Sequence, residues 1–136
     1  MKESDLQVQV ADYLRLQYPD VIFRSDFGAG IKLTIGQAAK QARQNGGIKG
    51  YPDMFIAAPV FDPDDESCVV CGLFLELKVK GTRLKKKNGE WANDHIAEQA
   101  KMMDRLNKLG YFAAFAVGFD EAKELIDSYL SSWRYV

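Results

Sequence analysis

Histidine is almost missing from this chain, cysteine is scarce, and no long apolar run occurs. One histidine and two cysteines among 136 residues are too few for a structural zinc site, which takes four ligands, commonly two CxxC pairs or one pair with two histidines. The cysteines form a single CxxC, Cys68 and Cys71. A thioredoxin-like pair normally opens a helix after a strand, whereas CVVCGLFLEL reads as the start of a strand, which argues against redox chemistry. Both cysteines are therefore read as small apolar packing residues in a reducing compartment. No stretch of about 18 apolar residues is present to cross a bilayer, and the polar start MKESDLQVQV lacks the apolar middle of a secretory signal. The expectation is a cytoplasmic protein. A GxxxxGK[ST] loop and a dinucleotide fingerprint are also absent, which argues against a small phosphate-ligand enzyme.

A strong excess of one charge is lacking as well. The formal net charge is -1, so the whole molecule does not carry the positive field of a general nucleic-acid binder. The charges are unevenly spread, however. KVKGTRLKKKNGEW, residues 78–91, holds Lys78, Lys80, Arg83, Lys85, Lys86 and Lys87 against Glu90 alone, while FDPDDES, residues 61–67, holds four acids and no base. With 47% hydrophobic and 12% aromatic residues, the chain is long enough to bury a real core, and residues 1–136 are expected to form one domain.

The apolar spacing predicts the elements in order. Leu6, Val10, Tyr13 and Leu14 recur at helical spacing from Glu3 to about Gln17. VIFRS, residues 21–25, reads as a short strand, and FGAGIKLTIG as a glycine-punctuated loop. QAAKQARQ reads as a helix stopped by Gly46 and Gly47. A strand enters at Asp53 and is interrupted at Pro59; a long strand then ends at Lys80. Asn93 caps a helix from Asp94 to Leu109, with Ile96, Ala100, Met103 and Leu106 as its apolar stripe and Gly110 as its stop. YFAAFAVGF reads as a buried strand, and Asp120 caps a last helix whose core face is Ala122, Leu125, Ile126 and Tyr129. The order α-β-α-β-β-α-β-α implies an α/β domain in which helices cover a central mixed sheet.

Within LFLELKVKG, residues 73–81, Leu73, Leu75, Leu77 and Val79 share one face of a strand, and Phe74, Glu76, Lys78 and Lys80 share the other. Two residues of strand span about 6.5 Å and return the side chain to the same face, so Glu76 and Lys78 project together. The strand that starts at Asp53 is the natural hairpin partner, which sets Asp53 beside Glu76. Facing carboxylates repel unless something positive lies between them, and a divalent cation is the simplest candidate. Carboxylate oxygens suit Mg²⁺ or Mn²⁺, which would engage a phosphate oxygen and lower the pKa of an attacking water; Lys78 could orient that water or offset developing charge. A surface ion pair on a solvated strand is the alternative for the ExK spacing alone.

Taken in order, Glu3, Leu6, Gln7, Val10, Tyr13 and Leu14 in the first helix, GIKGYPD over residues 47–53, GLFLELK over residues 72–78, and Gln99 in a helix before LNKLGYFAAFAVGFDEAKELIDSYL resemble the PD-(D/E)xK nuclease pattern. More narrowly, they resemble its VRR-NUC branch in the stand-alone phage or bacterial form, over nearly the whole chain. The resemblance implies a restriction-endonuclease-like core and a Mg²⁺- or Mn²⁺-dependent endonuclease acting on DNA phosphodiesters, structure-selective for branched or junction DNA such as a Holliday junction, and working as a homodimer. By position it makes Asp53, Glu76 and the Leu77 backbone carbonyl metal ligands and Lys78 the catalytic lysine. Glu3 would complete the metal shell, with Asp5 and Asp26 as rivals, and Gln99 would position the site or contact the backbone.

Where the family often carries an Asn-Gly pair, this chain has SDFGAGI. The basic loop, with Lys80, Arg83, Lys85, Lys86 and Lys87, is the candidate DNA grip, and Trp91 can stack on a base or pack on the core. The acidic segment should point away from DNA or restrict entry. His95 is read as a surface residue without a partner, and a catalytically silent nucleic-acid-binding module of the same fold is the alternative to the enzyme.

Overall fold

The computed structural model describes residues 1–26 and 32–131; Phe27 to Ile31 of the glycine-punctuated loop lie outside the described residues. The chain opens with α1 (Glu3–Gln17), followed by β1 (Phe23–Ser25), α2 (Ile35–Gln44), β2 (Met54–Ile56), β3 (Val60–Phe61), β4 (Cys68–Val70), β5 (Leu73–Lys78), α3 (Asp94–Lys108), β6 (Phe112–Val117) and α4 (Phe119–Leu130). Strands β1, β2, β5 and β6 form one sheet in the order β1-β2-β5-β6. The first two pairings are antiparallel, and β5 lies parallel to β6. A parallel pair needs a crossover, and α3 supplies it. This is the mixed α/β architecture expected, with one addition.

The addition is a separate two-stranded sheet, β3 with β4. Pro59 has no N–H to give a ladder and separates β2 from β3, at the interruption expected there. The long strand expected through Lys80 is likewise divided into β4 and β5 and ends at Lys78.

Two layers of apolar packing enclose the main sheet. On one side, Leu6, Val10 and Leu14 of α1 and Ala122, Ile126 and Leu130 of α4 meet Leu73, Leu75 and Leu77 of β5. On the other, Met102, Met103 and Leu106 of α3 cover Phe74 and Ala113. With helices over both faces and neighbours on both edges, every residue of β5 is buried. That includes Glu76 and Lys78, which removes the reading of ExK as a solvated surface pair.

The helix ends follow local chemistry. Asn93 Oδ1 accepts from Ile96 N–H at 2.9 Å to start α3. Thr34 and Gln37 form a reciprocal capping box that starts α2; no residue of α2 is buried. The last helix begins one residue before the expected cap: Gly118, at φ 87, occupies the N-cap position, and Asp120 lies inside the first turn. Strand β6, expected to be buried, is a sheet edge with Phe112 43% exposed.

Candidate active site

Register brings the two carboxylates together. Met54 pairs with Leu75 in the antiparallel β2–β5 ladder, so the next step of the register sets Asp53 opposite Glu76. Two hydrogen bonds tie them down: Asp53 N–H donates to Glu76 Oε2 at 3.2 Å, and Leu77 N–H donates to Asp53 Oδ2 at 2.9 Å. In a strand the N–H and C=O of one residue point to the same edge. The Leu77 carbonyl therefore faces the Asp53 side, beyond the start of β2, while the Lys78 carbonyl faces β6 and accepts from Gly118 N–H at 2.7 Å.

Around this pair the chain gathers four more side chains. Lys78 Nζ lies 3.6 Å from Glu76 Oε1 and 3.9 Å from Glu3 Oε1. Gln99, buried in α3, donates from Nε2 to Glu76 Oε1 at 2.6 Å. His95, one turn earlier, places its Nε2 3.3 Å from Gln99 Nε2, where it accepts when the imidazole proton is on Nδ1. His95 is exposed, as expected, but its expected lack of a partner is corrected. Gln7, one turn after Glu3, is buried with an amide nitrogen that has no partner among the described residues. The sequence by itself gives Gln7 no role; an amide among Leu6, Val10 and Leu14 on the buried face of α1 is the signal available there.

The rival acids separate by position. Asp5 is exposed and accepts from Lys2 N–H at 3.2 Å, so it serves the start of α1, whereas Glu3 reaches Lys78. Asp26 is held beside Asp53 by its backbone, its N–H donating to the Asp53 carbonyl at 2.6 Å. Its side chain is exposed.

Burial sets the electrostatics. It pushes Glu76 up to about 9, with the neighbouring Asp53 charge adding to the rise and Lys78 opposing it. Burial likewise raises Asp53 above the ordinary carboxylate range, against the lowering effect of its Leu77 N–H bond. Without a cation, the pair holds a proton at neutral pH.

The donor set fits a hard divalent cation. Asp53, Glu76 and the Leu77 carbonyl offer oxygen ligands, and a proton held between crowded carboxylates marks where positive charge is favoured. Gln99 Oε1 is a further buried oxygen with no hydrogen-bond partner among the described residues. No cluster of three or more His, Cys, Asp or Glu side chains suited to a metal occurs among those residues. A cation here would thus rest on two carboxylates, the main chain and water, which suits Mg²⁺ better than a closed cage would.

Lys85, Lys86 and Lys87 are exposed on a tight turn in which Lys86 N–H donates to the Glu90 carbonyl at 2.8 Å. Lys80 and Arg83 precede it and are also exposed. Trp91 packs on Phe115, ring centres 5.7 Å apart, with Lys85 Nζ 4.8 Å above its ring, so its indole supports the loop. Cys68 and Cys71 are both exposed, which corrects their reading as packing residues: Cys68 lies in the short outer hairpin and Cys71 where the chain turns into β5.

No protein-family model matches the chain, and no curated protein matches it. Among solved structures, one described as a "VRR_NUC domain protein" superposes with a TM-score of 0.64 and 20% sequence identity, covering 97% of this chain and 90% of that one. At that identity the likeness concerns the path of the backbone, and it extends over the whole four-stranded sheet and its helices. The chain therefore shares its fold with the solved VRR_NUC domain protein.

Proposed function

We propose that this chain is a VRR-NUC-type nuclease that hydrolyses DNA phosphodiester bonds with the help of Mg²⁺ or Mn²⁺. The observation that carries the reading is the buried pair Asp53 and Glu76, locked by reciprocal backbone bonds, with the Lys78 amine 3.6 Å from Glu76. Buried carboxylates are unfavourable for stability alone, since apolar residues of similar size would pack a central strand better. Their placement together at the end of the sheet points to chemistry.

When bound, a divalent cation supplies a polarised phosphate oxygen and a water of lowered pKa. Asp53, Glu76 and the Leu77 carbonyl would hold it. The Lys78 amine, in a site largely closed to water, would offset the charge that grows on the phosphate oxygens during in-line attack. Gln99 keeps Glu76 oriented through its 2.6 Å bond and presents its free oxygen to a donor. Glu3, 3.9 Å from Lys78, balances its amine and would support a cation directly or through water. Lys80, Arg83, Lys85, Lys86 and Lys87 grip the DNA backbone.

The resemblance extends the proposal to branched or junction DNA and to a homodimer, in which paired sites would meet paired strands. Labelled duplex, single-stranded, flap and four-way-junction DNA, incubated with Mg²⁺, Mn²⁺ or EDTA and with the Asp53→Ala protein, tests the reading. We expect metal-dependent cleavage that disappears in Asp53→Ala and Glu76→Ala proteins of intact fold, and strongest on the branched substrates. Lys78→Ala should lower kcat by about 100- to 1000-fold while cation binding changes little. Cleavage by folded Glu76→Ala at the wild-type rate would remove Glu76 from the site, and DNA binding without cleavage would make the chain a silent binding module.

A further inference from the structure

At the other end of β5 from Glu76 and Lys78, two thiols face each other. Cys68 Sγ lies 3.5 Å from Cys71 Sγ, and both residues are exposed. Neither backbone is loose: Cys68 pairs with Phe61 in the β3–β4 ladder, and Cys71 N–H donates to the Gly110 carbonyl at 2.8 Å. These are the two cysteines of the whole chain. A metal reading lacks ligands, because no third His, Cys, Asp or Glu joins them among the described residues. A thioredoxin-like reading lacks the helix N-terminus that would stabilise a thiolate, since Cys68 lies in a strand.

We propose that Cys68 and Cys71 form an intramolecular disulfide when the chain meets a small-molecule disulfide, tying the β3–β4 hairpin to the root of β5. The sulfurs need to close by about 1.5 Å to reach bonding distance, within reach of side-chain rotation. In the first step one cysteine, as thiolate, attacks a sulfur of the small disulfide; its S–S bond breaks and one small thiolate leaves. In the second step the other cysteine, deprotonated by solvent, attacks the protein sulfur of the mixed disulfide and expels the second small thiolate. The protein pair is oxidised by two electrons, the small disulfide is reduced by two, and the protons released by the cysteines end on the small thiols or in solvent. The hydrogen bond between the two sulfurs holds the Cys68 thiol above its ordinary value. Formation is therefore slow at neutral pH, and the ring, whose leaving thiol is a poor one, resists small monothiols once closed.

This site lies roughly 16 Å from Glu76 at the rise of a strand, so the proposal is independent of the nuclease reading. The test is intact-mass and thiol analysis of the full chain before and after incubation with oxidised glutathione, with circular dichroism to verify the fold. The wild type should lose both thiols, become lighter by two hydrogen atoms, stay unlinked to a second chain, and regain both thiols with dithiothreitol. Cys68→Ser and Cys71→Ser proteins should stop at a stable glutathione adduct. Tm should rise by about 5 °C on oxidation of the wild type and not of either variant. Accumulation of a doubly glutathionylated wild type, a disulfide-linked dimer, or an unchanged Tm would overturn the proposal.

Discussion

Glu76 shows how burial and a neighbouring charge together hold a proton on one residue, the proton that a cation would displace in the proposed nuclease. Its ordinary value is 4.5 and its folded value about 9, so without a cation the folded chain holds a proton that the unfolded chain releases between those values. The folded state binds more protons there, and stability consequently falls as pH rises. The contribution is fully present below about pH 4.5 and is lost as pH passes through about 9. We expect the Tm of EDTA-treated protein to fall across that range, and Glu76→Gln, which carries no titrating proton, to flatten the profile and raise Tm at pH 8 while abolishing cleavage. Cation affinity should run the other way, strengthening nearly tenfold per pH unit below about 9 because a proton must leave Glu76. Calorimetric titration with Mg²⁺ at several pH values checks both the sign and the release of the proton. An affinity independent of pH would mean that Glu76 does not hold the cation.

Gly50 illustrates how the elements aim those residues. It sits at φ 74, and a Cβ there would lie 2.8 Å from the Glu98 carbonyl oxygen and 3.2 Å from Gln99 Cα. The approach to Asp53 thus nests directly on the backbone of α3 at the turn that carries Gln99. Gly50→Ala would force both a left-handed backbone on a residue with a Cβ, at about 1–2 kcal/mol, and a shift of the loop away from the helix. The expected outcome is a lower Tm and a loss of activity larger than the stability change explains, since Asp53 and Gln99 move apart. A second tie holds α1 to α4: Asp127 accepts from the Tyr13 hydroxyl, from the Tyr18 hydroxyl at 2.7 Å and from Lys123 Nζ at 2.9 Å. Burial first, then Asp127, pushes Tyr13 up to about 12 and Tyr18 higher still, so both hydroxyls remain donors at any working pH. Asp127→Ala should destabilise by about 1–3 kcal/mol, measured by denaturant unfolding, with little change in cleavage because no residue of the site is touched.

Across the whole molecule, net charge hides an arrangement. The exposed acids Asp64, Asp65 and Glu66 occupy the turn of the small hairpin, with Asp62 half-buried before them, and the exposed bases lie in the loop between β5 and α3. Electrostatic attraction for DNA should therefore depend on that loop more than on overall charge. Replacing Lys85, Lys86 and Lys87 with Gln should weaken DNA binding and reduce the slope of log K against log salt by up to about 1 per phosphate contact removed, with the metal site intact. An unchanged slope would move the DNA grip elsewhere. No helix among the described residues is long and apolar enough to cross a membrane.

Much of the fold was legible because its signals are local. Apolar spacing located α1, α3 and α4, Asn93 and Gly110 bounded α3, and two-residue periodicity placed Glu76 and Lys78 on one strand face. The order of motifs, with Asp53 before a strand and ExK inside the next, likewise carried the fold resemblance. Other facts required contacts between distant segments. The interruption at Pro59 was legible, but the turn after Val70 divided what read as one long strand, since a ladder ends where partners are lost. That Glu76 and Lys78 are buried follows from α3 crossing above β5, and that His95 faces Gln99 from where this crossing sets the helix. The exposure of Cys68 and Cys71 could not be read from their apolar neighbours, because a short outer hairpin has no second layer to cover it. Residue chemistry and backbone periodicity are written along the chain; burial, and with it the charge state of every group in the site, belongs to the packed molecule.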